Sequence, residues 1–114
     1  MKLEVTEVEA HNNVRVVAFE GDLDSTNVES TLEQINDIYD SGVVHIIADF
    51  QKLRYVNSTG LGILLHISKT ARSNDCSFKI AKINDNVFEI IEIIGANTLL
   101  EVYDEIQDAV DSIT

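Results

Sequence analysis

The chain has few basic residues. Eight lysines and arginines stand against twenty aspartates and glutamates, giving a formal net charge of −12 over 114 residues. Such a surface repels phosphate backbones and anionic headgroups, so nucleic acid and membrane are poor partners and a basic protein is a good one. Solubility alone would also account for the acidity, and charge does not separate the two uses. The single cysteine, Cys76, excludes an internal disulfide. It opens an apolar segment, as a small core residue does, and its reduced state fits a cytoplasmic setting. Proline is absent, and there is no linker, repeat or low-complexity run. No apolar run approaches the roughly 20 residues of a membrane span. Leu3 and Val5 alternate with charged residues, so the N-terminus reads as a strand and not as a signal-peptide core.

What remains is the composition of one globular domain, 1–114. Hydrophobic residues make up 45% and charged residues 25%, enough apolar surface for a core and against wholesale disorder. Residues 2–9 alternate and predict an edge strand, His11-Asn12-Asn13 reads as a turn, and the β-branched run at 14–20 predicts an interior strand completing a hairpin. Gly21-Asp22-Leu23-Asp24 then breaks the strand pattern. Thr26 and Glu29 have capping-box spacing, and Val28, Leu32, Ile35 and Tyr39 follow on one helical face. Ser41-Gly42 ends that helix. Residues 43–50 are nearly all apolar, which predicts a strand buried on both faces, and Gln51 to Asn57 form a connection.

Further helices are expected at 58–73, at 86–94 with Gly95 as its stop, and from Ile106 onward. Further strands are expected at 76–82 and near Leu99–Tyr103. Strands alternating with helices imply βαβ units. The expected fold is α/β: a mixed β-sheet with an antiparallel edge hairpin and about four helices. The 86–94 helix carries Val87, Phe88, Ile90, Ile91, Ile93 and Ile94, more apolar residues than one stripe requires. The favoured expectation is that neighbouring helices cover them. Otherwise they extend a docking surface or make a weak homodimer contact.

The segment Asn57-Ser58-Thr59-Gly60-Leu61-Gly62 leaves a connection and enters a helix. Ser58 lies at or near the N-cap, where its hydroxyl can accept a backbone N–H. Gly60 and Gly62 expose the first turn to close approach by another backbone, at a cost in helix propensity. Helix N-termini also favour added negative charge, and a phosphoserine brings about −1.5 to −2 charges there. From residue types alone, capping is the favoured explanation of Ser58 over modification.

Asp49-Phe50 through Gly60-Leu61-Gly62 resembles the signature of STAS-domain anti-sigma factor antagonists. These have a strand ending in an Asp-Leu type pair, a short loop, then Asp-Ser-Ser/Thr-Gly-Leu-Gly. Gly21-Asp22-Leu23-Asp24 resembles the Gly-Glu-Leu-Asp turn of that family, and the order of expected elements agrees over the whole chain. The resemblance implies that Ser58 is the phosphoacceptor and that Asp22, Asp24, Asn57, Ser58, Thr59, Gly60, Leu61 and Gly62 form the partner-binding surface. It also implies two partners. One is an anti-sigma factor serine kinase of the histidine-kinase-like ATPase superfamily, bound only by the unphosphorylated form, which frees the sigma factor. The other is a metal-dependent serine phosphatase that restores the antagonist. Asn57 departs from the family, which usually has Asp there. Some family members act unphosphorylated, as subunits of signalling scaffolds or lipid-transport complexes, and that is the alternative role.

Enzyme motifs are not visible. His11, His45 and His66 show no metal-ligand spacing with one another or with Cys76. A nucleophile elbow would need glycine where Val56 stands. No lysine follows Gly60-Leu61-Gly62 as a phosphate loop requires. The chain is therefore expected to be a substrate of its partner, not an enzyme, with no cofactor or metal of its own.

Overall fold

A computed structural model describes residues 1–113. The elements run β1 (Lys2–Val8), β2 (His11–Leu23), α1 (Val28–Asp40), β3 (His45–Asp49), β4 (Leu53–Val56), α2 (Ser58–Ser73), β5 (Ser77–Ala81), α3 (Asp85–Ile94), a 3-10 turn at Ala96–Thr98, β6 (Glu101–Tyr103) and α4 (Ile106–Ile113). The sheet has the order β1-β2-β3-β5-β6, with β4 paired to the far end of β2. Only β1 runs antiparallel to its neighbour; the other pairings are parallel. The mixed α/β architecture with four helices is the one expected.

The period of two along the strands sorts residues onto two faces. Val17 and Phe19 of β2, Ile46 and Ala48 of β3, and Phe78 and Ile80 of β5 join Ile35, Leu64, Ile67, Val87 and Ile91 in the main core, so α1, α2 and α3 cover that face. Val14, Ile47 and Ala81 point the other way and pack against Ala109 and Val110 of α4. Ile46, Ile47 and Ala48 are all inaccessible to solvent, which is why the 43–50 run reads as apolar on both faces. Phe19 and Phe50 meet edge to face with centroids 5.1 Å apart, locking the β3–β4 connection under the sheet.

Five sequence expectations are corrected. The hairpin turns at Glu9-Ala10, with Ala10 at φ 69°, and His11–Asn13 already belong to β2. Gly21–Asp24 does not simply end a strand: β2 continues to Leu23 past a register shift between Gly21 and Asp22, where Gly21 takes φ 111°. The Gln51–Asn57 connection contains β4, whose four residues are too short for a periodic signal and are held by that extension of β2. The Thr26–Glu29 capping box does not form. Asn27 precedes α1, and the Thr26 hydroxyl donates to Asp24 instead. On α3, Val87 and Ile91 are buried, but Ile93 is 77% and Ile94 55% exposed, so neighbouring helices do not cover the whole stripe.

Candidate functional site

The site is assembled where β4 runs out beside the end of β2. The register pairs Gly21 with Leu53, Asp22 with Tyr55 and Leu23 with Val56. One residue further on, the Asn57 amide donates to the Leu23 carbonyl at 3.2 Å. Asn57 is extended (φ −88°, ψ −179°), and its side-chain Oδ1 accepts the Gly60 amide at 2.8 Å. This is an N-cap: one of the orphan donors of the first turn is satisfied by the preceding side chain. The cap is therefore Asn57 and not Ser58.

Ser58 is the first helical residue. It is exposed, as is Thr59, and among the described residues its hydroxyl enters no hydrogen bond. Gly60 explains how the helix start comes so close to β2. A Cβ there would lie 2.5 Å from the Leu23 carbonyl oxygen, so only glycine fits. Gly62 differs: it is exposed, and a Cβ there would meet nothing within 4 Å. The expected close backbone approach holds for Gly60 and fails for Gly62. Leu61 turns inward and is 3% exposed, which makes it a core anchor of α2.

The Asp22–Asp24 segment is held beside this helix start by Asn27. Its Nδ2 donates to the Asp22 carbonyl at 2.7 Å, and its Oδ1 accepts the Asp24 amide at 3.1 Å. The Asp24 carboxylate accepts the Thr26 hydroxyl at 2.5 Å and the Thr26 amide at 3.0 Å. Those bonds, the hydroxyl first, hold its pKa below the usual carboxylate range, so Asp24 is charged at neutral pH. Asp22 pairs with Arg54, Nε to Oδ1 at 3.3 Å, with both side chains well exposed. Such a pair contributes little stability. Among the described residues the Asn57 Nδ2 reaches only the Ser25 hydroxyl, at 3.5 Å.

The structure thus brings Asp22, Asp24, Asn57, Ser58, Thr59 and Gly60 to one end of the sheet. Sequence reasoning passes over Ser25, Asn27, Arg54 and Tyr55. Asn27 has a signal in hindsight: an amide three residues after Asp24, where an Asx-type side chain can fold back on a turn. Arg54 and Tyr55 join the site only because β4 pairs with β2, which no local pattern reveals. Ser58 has no histidine partner; His45 Nδ1 instead meets the Ser77 hydroxyl at 2.6 Å, on the α4 face. Among the described residues no three His, Cys, Asp or Glu side chains converge on a metal position.

The STAS domain family model matches residues 6–109. An anti-sigma F factor antagonist of Paenibacillus polymyxa is 25% identical over 105 residues, covering 91% of this chain and 89% of the relative. An anti-sigma-B factor antagonist of Staphylococcus aureus is 28% identical over 82 residues, 72% of this chain and 76% of the relative. The anti-sigma factor antagonist SpoIIAA in its unphosphorylated form superposes with a TM-score of 0.76 over 98% of this chain and 96% of that one, at 18% identity. The Bacillus cell fate determinant SpoIIAA in its phosphorylated form gives 0.69 over 99% and 100%, also at 18% identity. These superpositions establish a shared fold.

Proposed function

The chain belongs to the STAS domain family, and from that premise we propose that it is an anti-sigma factor antagonist switched by phosphorylation of Ser58. The observation that carries the reading is the division of labour at the start of α2. Asn57 supplies the cap and leaves the Ser58 hydroxyl exposed and unbonded. Modifying that hydroxyl breaks no structural bond. The curated relatives named as anti-sigma factor antagonists support the reading.

In this reading the partner is an ATPase-fold serine kinase that is also the anti-sigma factor. It binds the acidic surface formed by Asp22, Asp24 and the first turn of α2, within the cytoplasm, and so releases its sigma factor. Kinase-bound ATP then passes its γ-phosphoryl group to Ser58 Oγ; the serine proton leaves to a base of the kinase, and ADP departs. The phosphoserine adds about −1.5 to −2 charges to a surface that already carries two carboxylates, so repulsion and desolvation eject the partner. A metal-dependent phosphatase hydrolyses the ester and restores the hydroxyl. The chain itself supplies no catalytic group.

The test uses a serine kinase of the histidine-kinase-like ATPase superfamily from the same organism. Incubation with ATP should add one phosphate by intact mass, mapping to Ser58, and Ser58→Ala should abolish it while keeping partner binding. Ser58→Asp should lower affinity in calorimetry with an unchanged thermal melt. Phosphate on Thr59, or unaltered phosphorylation of Ser58→Ala, would overturn the assignment.

A further inference from the structure

Seven aromatic side chains are present. Phe19, Phe50 and Phe78 are buried, and Phe88 is half-buried. Tyr39 and Tyr103 are half-buried and use their hydroxyls, on the Ser77 carbonyl at 2.7 Å and on Glu101 at 3.1 Å. Tyr55 alone is exposed, at 50%, and among the described residues its hydroxyl makes no hydrogen bond. A lone exposed aromatic on a short strand is ordinary in itself, since tyrosine suits strands. Its position is what sets it apart. Tyr55 lies directly opposite Asp22 in the β2–β4 ladder and two residues before Asn57, within the surface assigned above to the partner.

We propose that Tyr55 and Asp22 together form the receptor for an arginine of the partner kinase and are a specificity-determining pair of the interface. The proposal rests on the reading of this surface as the partner-binding one. Asp22 and Tyr55 are paired across the parallel β2–β4 ladder, whose strands lie about 4.7–4.9 Å apart, and a guanidinium can span that gap. Its plane stacks on the ring, and its N–H groups reach the carboxylate. Arg54 Nε engages only Oδ1 of Asp22, in an exposed pair that contributes little, so among the described residues Oδ2 is left to accept a second guanidinium. Lysine would satisfy the charge but not the stacking. The acidic net charge of −12 draws a cationic partner surface towards the pair, and the ring then selects what docks there. Tyrosine and arginine are the residue types that carry binding energy disproportionately when they desolvate one another.

The experiment is calorimetric titration of the purified kinase with the wild-type protein, Tyr55→Phe, Tyr55→Leu and Tyr55→Ala at low and high salt. Phosphorylation of Ser58 is followed by intact mass in the same samples, and thermal melts serve as the folding control. The phenylalanine variant, which keeps the ring, is expected within about twofold of wild type. The leucine and alanine variants are each expected to lose about tenfold or more, because the face that holds the cation is gone. All four should still be phosphorylated at saturating kinase. Alanine binding as tightly as wild type overturns the proposal and leaves the Ser58 reading intact. Leucine binding as tightly as phenylalanine also overturns it, since the contact is then merely apolar. A wild-type protein that neither binds the kinase nor is phosphorylated removes the partner surface itself, and the proposal with it.

Discussion

Two helices of this molecule begin in the same way and do different things. Asn57 opens α2 and Asn84 opens α3. Both are extended, at φ −88° and −80°, and each accepts the amide three residues on, from Gly60 at 2.8 Å and from Val87 at 2.9 Å. The difference lies in the other end of the amide. The Nδ2 of Asn84 is committed to the carbonyls of Leu53 at 2.6 Å and Phe50 at 3.1 Å, with Gln51 at 3.3 Å. It fastens α3 to the β3–β4 connection. Among the described residues the Nδ2 of Asn57 meets only the Ser25 hydroxyl at 3.5 Å. The residues each asparagine caps differ too: Val87 fills the core, whereas Gly60 leaves room for the Leu23 backbone. One cap is spent on structure. The other keeps a polar group in reserve beside an exposed serine, where the proposed phosphate on Ser58 would sit.

The sharpest way to break this comparison is to give Gly60 a side chain. Gly60→Ala places a methyl against a backbone carbonyl that cannot rotate away, and about 3 kcal/mol of stability should be lost in denaturant unfolding. Gly62→Ala, one turn position on with open space around it, should instead gain roughly 0.5–1 kcal/mol from helix propensity. Equal effects at the two glycines would mean that α2 does not sit on Leu23.

Next in size are the caps themselves. Asn84→Ala removes the cap and takes the Nδ2 donor from the Leu53 carbonyl, while the Phe50 carbonyl keeps the Leu53 amide, so a loss of about 2 kcal/mol is expected. Asn57→Ala removes a cap alone and should lose about 1 kcal/mol. Urea titrations of both variants under one condition check the ranking.

A smaller effect lies away from both caps. Burial, and then the nearby Lys79 charge, hold the His45 pKa below its ordinary 6.5. The unfolded chain therefore binds the proton more readily. Stability is full above pH 6.5 and falls as pH drops from 6.5 through the folded-state value. His45→Gln should flatten that segment of a melting-temperature profile. Lys79 itself is pushed up despite its burial by the hydrogen bond and charge of Glu101, and Glu101 is held down chiefly by its hydrogen bond from Lys79, so this pair stays ionised throughout that window.

The smallest expected stability changes fall on the proposed switch. Ser58→Ala should melt within about 0.5 kcal/mol of wild type, because Asn57 and not Ser58 carries the cap. Asn57→Asp keeps the accepting oxygen for Gly60 and should also leave stability near wild type, while placing a carboxylate beside Ser58, the proposed phosphoacceptor. Phosphorylation or dephosphorylation rates should change severalfold in assays with purified kinase and phosphatase. Matching rates would make the asparagine a cap and nothing more.

Much of the framework was legible along the chain because it is written in local periods. The apolar stripe of α1, the doubly buried β3 and the left-handed stop at Gly95, with φ 81°, each follow from residues within one element. So does the Asn-Ser-Thr-Gly-Leu-Gly segment as a helix start. The sequence by itself therefore determined the four helices and every strand except β4, that they form one mixed α/β domain, and that Ser58 stands at a helix N-terminus. It could not decide which side chain caps that helix, since serine and asparagine are equally good caps in isolation. The tertiary structure chose Asn57, because its amide bonds the Leu23 carbonyl and so fixes its extended backbone with Oδ1 over the first turn. Nor could it reveal β4, whose four residues become a strand only when β2 runs on past the register shift at Gly21/Asp22 and offers a free edge. That pairing brings Asp22 against Tyr55 from positions 33 residues apart in sequence. Contacts of that separation are set by which edges remain unpaired after the core has formed, and no local pattern encodes them.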